Sequence, residues 1–522
     1  MTTPKTDSAP LPRADLWLAA SVGFCALALY IRTLAPSLLW GDSAEFQTLA
    51  STLGMTHPTG YVTYILIGKV FTFLPFGNLA WRVNFLSAFF GALAVAQVYL
   101  IVRLLGGRRA AALLACTALA LTQGFWWRAI IAEIYTASAS MIASIWLFVL
   151  LWNRTGNWKY LFAAGVLGGL SLGIHSTVVM TAFAVLAYLA VTARKRSAWV
   201  GAAAGALAGV MLVGAAFLFI DAHDPPSSIY NTVYRTSFSV MGLTEGQFDT
   251  PLERLRVIFP LGRAGSFYFS APPETTRAHL AEYVSLFPTW ALAYIVIGMA
   301  ALFVRPRWAD GVYPLVGFLL IWGFAVTVSF SNYLDYYVPA GIFVSAWMGA
   351  GADVFLEGLD RLLKRNPLRG RTLRTVAAGA ASLGLILLPV WQARADVHLA
   401  VTSGYTDFVR ESHLYPIFAP DKAIQEARKV LNRAAPNAIV FAEWDKLYSL
   451  IYTAQFEADR ADVTFHQASY LEKPTLAETA RTYIDANIDQ RPIYFTILLP
   501  ELSEYYRVED LGNSLYRLRR KP

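Results

Sequence analysis

The chain has 522 residues, of which 56% are apolar, 14% aromatic and only 15% charged, whereas a soluble enzyme of this length carries about a quarter charged residues. That profile belongs to a chain whose main solvent is lipid. The formal charge of +8 does not point to nucleic acid, because Lys and Arg sit in short clusters between apolar runs and not on one continuous face.

Met1 to Asp15 is polar, and the apolar run that follows lacks a small-residue cleavage pattern, so a retained first helix is expected. Runs long enough to cross about 30 Å of hydrocarbon at 1.5 Å per residue lie near 16–34, 83–104, 109–123, 134–152, 159–174, 177–192, 198–220, 285–304, 312–329, 337–355 and 373–391. They predict about eleven transmembrane helices. Cys25 and Cys116 both fall inside such runs, where a thiol behaves as a small hydrophobe, and no disulfide is implied. Short basic loops recur at every second connection: Arg108-Arg109, Arg154 with Lys159, Arg194-Lys195-Arg196, Arg305 with Arg307, and Arg361 to Arg374. Placing them and the N-terminus in the cytoplasm sends the last 130 or so residues outside. Tyr61 to Phe76 is also apolar, but counting it as a span would put every later basic loop on the wrong side. An interfacial or re-entrant helix is expected there.

The predicted fold is therefore an α-helical polytopic membrane protein with a C-terminal extracytoplasmic α/β domain. Residues 1–392 form the membrane domain, with external loops at 35–82 and 221–284, and residues 393–522 the soluble domain. The loop from Asp221 to Glu282 reads as short helices. Beyond Ala393, strands are expected at 438–442, 462–466, 492–498 and 513–518, between helices near 420–434, 444–456 and 475–486.

This topology gathers unusual polar residues at the external face: Asp42, Glu45, His57, Glu133, His175, Asp221, His223, Asp224, Asn332 and Asp335. In Trp40-Gly41-Asp42-Ser43-Ala44-Glu45-Phe46 the two carboxylates share one helix face. Asp42 and Ser43 either cap an interfacial helix, or a partly desolvated carboxylate there serves as a general base toward a hydroxyl. His57, in a Pro-fixed turn of Gly54-Met55-Thr56-His57-Pro58-Thr59-Gly60-Tyr61, is either structural or a donor to phosphate or sugar hydroxyls. Trp126 and Trp127 read as interfacial belt residues. Glu133, at the apolar start of a span, calls for a partner, and Arg128 is either that partner or a phosphate clamp. His175 packs helices or lines a site. Ser331-Asn332-Tyr333-Leu334-Asp335-Tyr336-Tyr337 either caps two spans or binds sugar.

Read in order, these segments resemble the GT-C superfamily of membrane glycosyltransferases, most closely the bacterial branch related to transmembrane protein O-mannosyltransferases. The resemblance is carried by Leu34-Ala35-Pro36, Gly41-Asp42-Ser43 with Glu45, Leu53 to Tyr61, Asn84-Phe85-Leu86-Ser87-Ala88, Phe125-Trp126 with Glu133-Ile134-Tyr135, and Gly169 to Gly173 with His175. It is dense over about the first 190 residues. Val62-Thr63 stand where a second proline is expected, and Trp444 to Val463 with Arg491 to Thr496 look like the family's external domain. The resemblance implies transfer of a sugar from a polyprenyl-phosphate donor to a protein, lipid or glycan acceptor outside the membrane, with inversion. Asp42 would be the base, with Glu45 orienting the acceptor or assisting. His57 and Arg128 would steady the lipid-linked phosphate, with Glu133, Tyr135, His175, Asn332 and Asp335 completing the donor and acceptor pocket. No cofactor is expected. A divalent ion on Asp42 with Glu45 or Asp224 would have too few ligands to be inferred.

Two other function classes fit a polytopic chain. A secondary transporter or lipid-linked sugar flippase would place its polar residues near the midplane on paired repeats, and no repeat is visible. A scaffolding subunit would not need acidic and histidine residues in one leaflet.

Overall fold

The computed structural model describes residues 11–259, 269–304, 306, 308–329, 333–365, 371–403, 421–470 and 475–522. Among them, seven helices are long and apolar enough to cross a membrane: Arg13–Arg32, Leu79–Leu104, Tyr135–Thr155, Arg196–His223, Trp308–Thr327, Leu334–Arg365 and Thr372–Gln392. Two bent pairs, Arg109–Leu121 with Gln123–Ala129 and Pro273–Ser285 with Thr289–Val304, raise the number to nine if each is one span. The two other apolar runs are helical but short. Trp158–Leu170 has 13 residues, a rise of about 20 Å, and Thr177–Thr192 is likewise below spanning length. Val62–Thr72, with 11 residues, rises about 16 Å, half the hydrocarbon thickness, and begins without the second proline.

Lipid provides no hydrophobic force between helices, so contact depends on close approach and van der Waals packing. Glycines make that approach possible between Trp158–Leu170 and Arg196–His223. A Cβ on Gly205 would lie 2.1 Å from the Phe162 carbonyl oxygen, and one on Gly169 would lie 2.6 Å from the Gly209 backbone.

On the helical body sits a five-stranded sheet of β1 (Ile439–Ala442), β2 (Thr464–Gln467), β3 (Ile493–Phe495), β4 (Tyr506–Asp510) and β5 (Tyr516–Arg520), in the order β2-β1-β3-β5-β4. β1 pairs in parallel with β2 and β3, while β5 is antiparallel to β3 and β4. β1 is buried along its whole length, as expected for a central parallel strand covered on both faces. The expected strands are present, and β4 is an addition. It closes a hairpin with β5 through Gly512, Asn513 and Ser514, all at positive φ, a turn whose Gly-Asn pair is a hairpin signal.

The helix Trp444–Phe456 leaves the carboxyl end of β1 and lies against the helix Gly41–Thr52. Its residues at four-residue spacing make the contact. The Thr48 hydroxyl donates to the Tyr448 carbonyl at 3.2 Å, and the Ala80 amide donates to the Tyr452 hydroxyl at 3.1 Å. Sheet and membrane helices thus share one continuous apolar core containing Tyr30, Leu49, Tyr448 and Tyr452.

Gly205→Leu should lower the thermal unfolding midpoint in detergent, because overpacking costs about 1–3 kcal/mol. Gly214→Leu on the same helix, where a Cβ meets nothing within 4 Å, should leave the midpoint unchanged. Equal midpoints for the two variants would refute close glycine packing as the basis of this contact.

Candidate active site

The segment leading to Asp42 has no regular structure of its own and is held from outside. The Ala35 amide donates to the Ile130 carbonyl at 2.9 Å, and the Asn84 side-chain amide donates to the Ala35 carbonyl at 2.9 Å. Gln47 bridges the Asn84 side-chain oxygen at 2.8 Å and the Leu39 amide at 3.0 Å. Trp126 is fully buried and its indole donates to the Thr33 hydroxyl at 2.9 Å, so it is a strut and not a membrane-belt residue. The Ser87 hydroxyl accepts from the Glu133 amide at 3.1 Å and donates to the Glu133 carbonyl at 3.0 Å. Backbone groups this far from water need such partners.

The turn into the helix Gly41–Thr52 is made by Gly41 at φ +55°, a left-handed conformation that glycine adopts without penalty. The helix has no side-chain N-cap bond. Instead Asp42 Oδ1 accepts a 2.8 Å hydrogen bond from the Trp444 indole N–H of the C-terminal part, so the capping role open to Asp42 is not the one it plays. Gly54 serves close packing: a Cβ there would meet Leu49 at 2.6 Å, while Leu53 takes the left-handed position.

Glu45 is completely buried. Its Oε1 accepts from the His57 amide at 2.7 Å, and its Oε2 pairs with His57 Nδ1. Burial pushes the Glu45 carboxyl up, against the pull of His57. Burial also works against the charged form of His57, but Glu45 and Asp42 outweigh it and hold the imidazole up to about 9. The pair therefore carries a cation on His57 at neutral pH, beside Asp42.

Across the site, Arg128 Nε donates to Asp335 Oδ1 at 2.7 Å, and a second guanidinium nitrogen bonds the same oxygen. Arg128 Nη1 lies 4.0 Å from Glu133 Oε1, and the guanidinium covers the rings of Trp127 and Tyr135 at 5.0 and 5.8 Å. Burial, with the charges of Asp42 and Asp335 adding to it and Arg128 and His57 opposing it, pushes Glu133 up to about 8. His175 lies parallel to Tyr61 at 6.2 Å, and Tyr135 and Tyr336 flank it at 5.9 and 5.5 Å. Its Nδ1 meets the Thr177 hydroxyl at 2.5 Å, and burial with the nearby His57 charge lowers it to about 3. It is a neutral imidazole in an aromatic wall.

The structure thus brings Asp42, Glu45, His57, Arg128, Glu133, Tyr135, His175 and Asp335 together. Asn332 lies outside the described residues. Asp221 and Asp224 do other work: Asp221 holds Arg254 in two 2.7 Å bonds and accepts from Tyr230 at 3.0 Å, while Asp224 accepts from Asn231. They brace the long loop with its short helices Arg235–Met241 and Pro251–Ile258. Sequence reasoning did not single out Trp444. The signal for it was the spacing of Trp444, Tyr448 and Tyr452, one aromatic face of one helix. Among the described residues no three His, Cys, Asp or Glu side chains are grouped to hold a metal ion.

Residues 42–199 match the family described as the N-terminal domain of protein O-mannosyl-transferase TMEM260. Over 192 residues the chain is 28% identical to protein O-mannosyl-transferase TMEM260 of Mus musculus, covering 36% of this chain and 27% of that protein. Over 127 residues it is 27% identical to the Dictyostelium discoideum protein O-mannosyl-transferase tmem260, covering 24% and 15%. The chain spans about a quarter of the length of the first relative and less of the second. The fold extends further than the sequence similarity. ArnT from Cupriavidus metallidurans bound to undecaprenyl phosphate superimposes with a TM-score of 0.57 over 97% of both chains at 12% identity. The arabinofuranosyltransferase AftD from Mycobacteria does so at 0.51 over 94% of this chain and 36% of that one, at 14% identity. The architecture is the one shared with these two solved structures.

Because His57 stands higher in the folded chain than the ordinary 6.5, its charge stabilises the fold fully below pH 6.5 and loses that effect as pH rises through about 9. The thermal midpoint should therefore fall between these values, and His57→Gln should flatten that limb. A wild-type midpoint constant across the window would show that the Glu45–His57 ion pair is absent.

Proposed function

We propose that the chain transfers a sugar from a polyprenyl-phosphate donor to an acceptor hydroxyl on the extracytoplasmic side, inverting the anomeric carbon, with Asp42 as the base. The observation that carries this reading is the setting of Asp42. One oxygen is held by Trp444, the other has no protein hydrogen bond among the described residues, and cationic His57 and the braced Arg128 guanidinium lie close by.

In this reading Asp42 Oδ2 takes the proton from the acceptor hydroxyl as that oxygen bonds the anomeric carbon. The bond from that carbon to the phosphate oxygen breaks, and polyprenyl phosphate leaves with the electron pair. His57 and Arg128 stabilise the charge growing on the phosphate, an effect largest where water is excluded. Glu45, buried behind His57 with both oxygens engaged, keeps that imidazole charged rather than touching the acceptor. Neutral His175 with Tyr61, Tyr135 and Tyr336 offers ring faces and a polar edge to a sugar.

A polyprenyl-phosphate donor is supported by the fold shared with ArnT, which was captured with undecaprenyl phosphate, and sugar transfer by the protein O-mannosyl-transferase relatives. Sidedness is supported by the helices. Tyr135–Thr155 starts at the site and ends with Arg154, which supports a cluster on the side away from the basic loops. In this reading the protein lies in the bacterial inner membrane, as the resemblance to the bacterial branch implies.

Purified in nanodiscs and offered a panel of polyprenyl-phosphate sugars, the wild type should release sugar from one of them. Asp42→Asn should lose about 10²–10⁴-fold in kcat while keeping its fold. Full activity in the variant, or no donor consumed with peptide, lipid and glycan acceptors present, would overturn the assignment and favour a transporter.

A further inference from the structure

The C-terminal sheet of a membrane transferase is readily taken for an appended module that selects acceptors. The contact between the helix Trp444–Phe456 and the first loop indicates a more direct part, one that rests on the reading of Asp42 as base. We propose that Trp444 is a positioning residue for Asp42: its indole N–H fixes the carboxylate so that Oδ2 faces the acceptor, which makes the C-terminal part a component of the active site.

The indole N–H donates to Asp42 Oδ1 at 2.8 Å, linking residues 402 positions apart. The ring has little freedom. It stands edge to face against His57 at 5.6 Å and 88°, and against Tyr448 at 5.6 Å and 79°. Its backbone is anchored on the sheet side, where the Glu443 amide donates to the Thr496 hydroxyl at 3.3 Å. On the other side the same helix is tied to the first loop through Tyr448 and to Ala80 through Tyr452, and Tyr448 also meets the Thr232 hydroxyl at 3.3 Å. Three contacts at four-residue spacing set the register of this helix, and one turn of slippage would remove the indole from the carboxylate.

A fixed donor on one carboxylate oxygen restricts the rotamers of the base, which matters because about 1 Å of misplacement can cost 10²-fold in rate.

The test is Trp444→Phe in the full-length protein, with a benzothienylalanine variant at the same position that keeps the bicyclic shape but has no N–H. Both should lower kcat about 10- to 100-fold and leave the donor KM nearly unchanged. If either folded variant matches wild type in kcat while Asp42→Asn is inactive, Trp444 is a packing residue only and the base assignment stands. If Asp42→Asn is itself active, the underlying function fails first.

Discussion

Four carboxylates, two histidines and an arginine share a volume largely closed to water, and such a site is stable only if its charges are matched. Desolvating an unpaired ion costs several kcal/mol, so the pairing pattern organises everything around it. Glu45 is matched by His57, and Asp335 by Arg128 with Glu133 at the edge of reach. His175 avoids the problem by staying neutral. Asp42 alone is held by a neutral donor. A carboxylate held that way has one oxygen fixed by the indole and the other without a protein hydrogen bond among the described residues.

The scaffold follows from the same constraint. The approach to Asp42 is irregular chain, and at the edge of hydrocarbon its amides and carbonyls cannot rely on water. Asn84, Gln47, Ser87 and Trp126 supply the missing partners. This gives a physical account of why the motifs outside the site accompany those inside it. They serve as the hydrogen-bonding frame of the loop.

The C-terminal sheet enters through geometry more than through affinity. Its central strand ends where the helix Trp444–Phe456 begins, and ligand sites in parallel α/β layers commonly form outside the carboxyl ends of strands. Here that end is pressed against the carrier of Asp42. The apolar core runs without a break from the membrane helices into this helix, so the two parts of the chain have little freedom to separate.

Periodic apolar runs made the polytopic helical body legible, because burial in lipid needs about twenty apolar residues in a row whatever they later touch. Alternating short runs did the same for the sheet. Asp42, Glu45 and His57 could be read as neighbours because Glu45 and His57 are only twelve residues apart and all three lie between the same two spans. The pairing of Arg128 with Asp335, 207 positions away, could not be read, and neither could the bond from Trp444 to Asp42. The short strand β4 also escaped notice, since Tyr506 to Asp510 is too polar to stand out before its hairpin partner is known. The amino-acid sequence by itself determined the class of fold, the number of apolar runs and the place of the acidic first loop. The tertiary structure alone decided which charge meets which and which indole holds the base, because such contacts depend on helix register and crossing, set by packing between residues hundreds of positions apart.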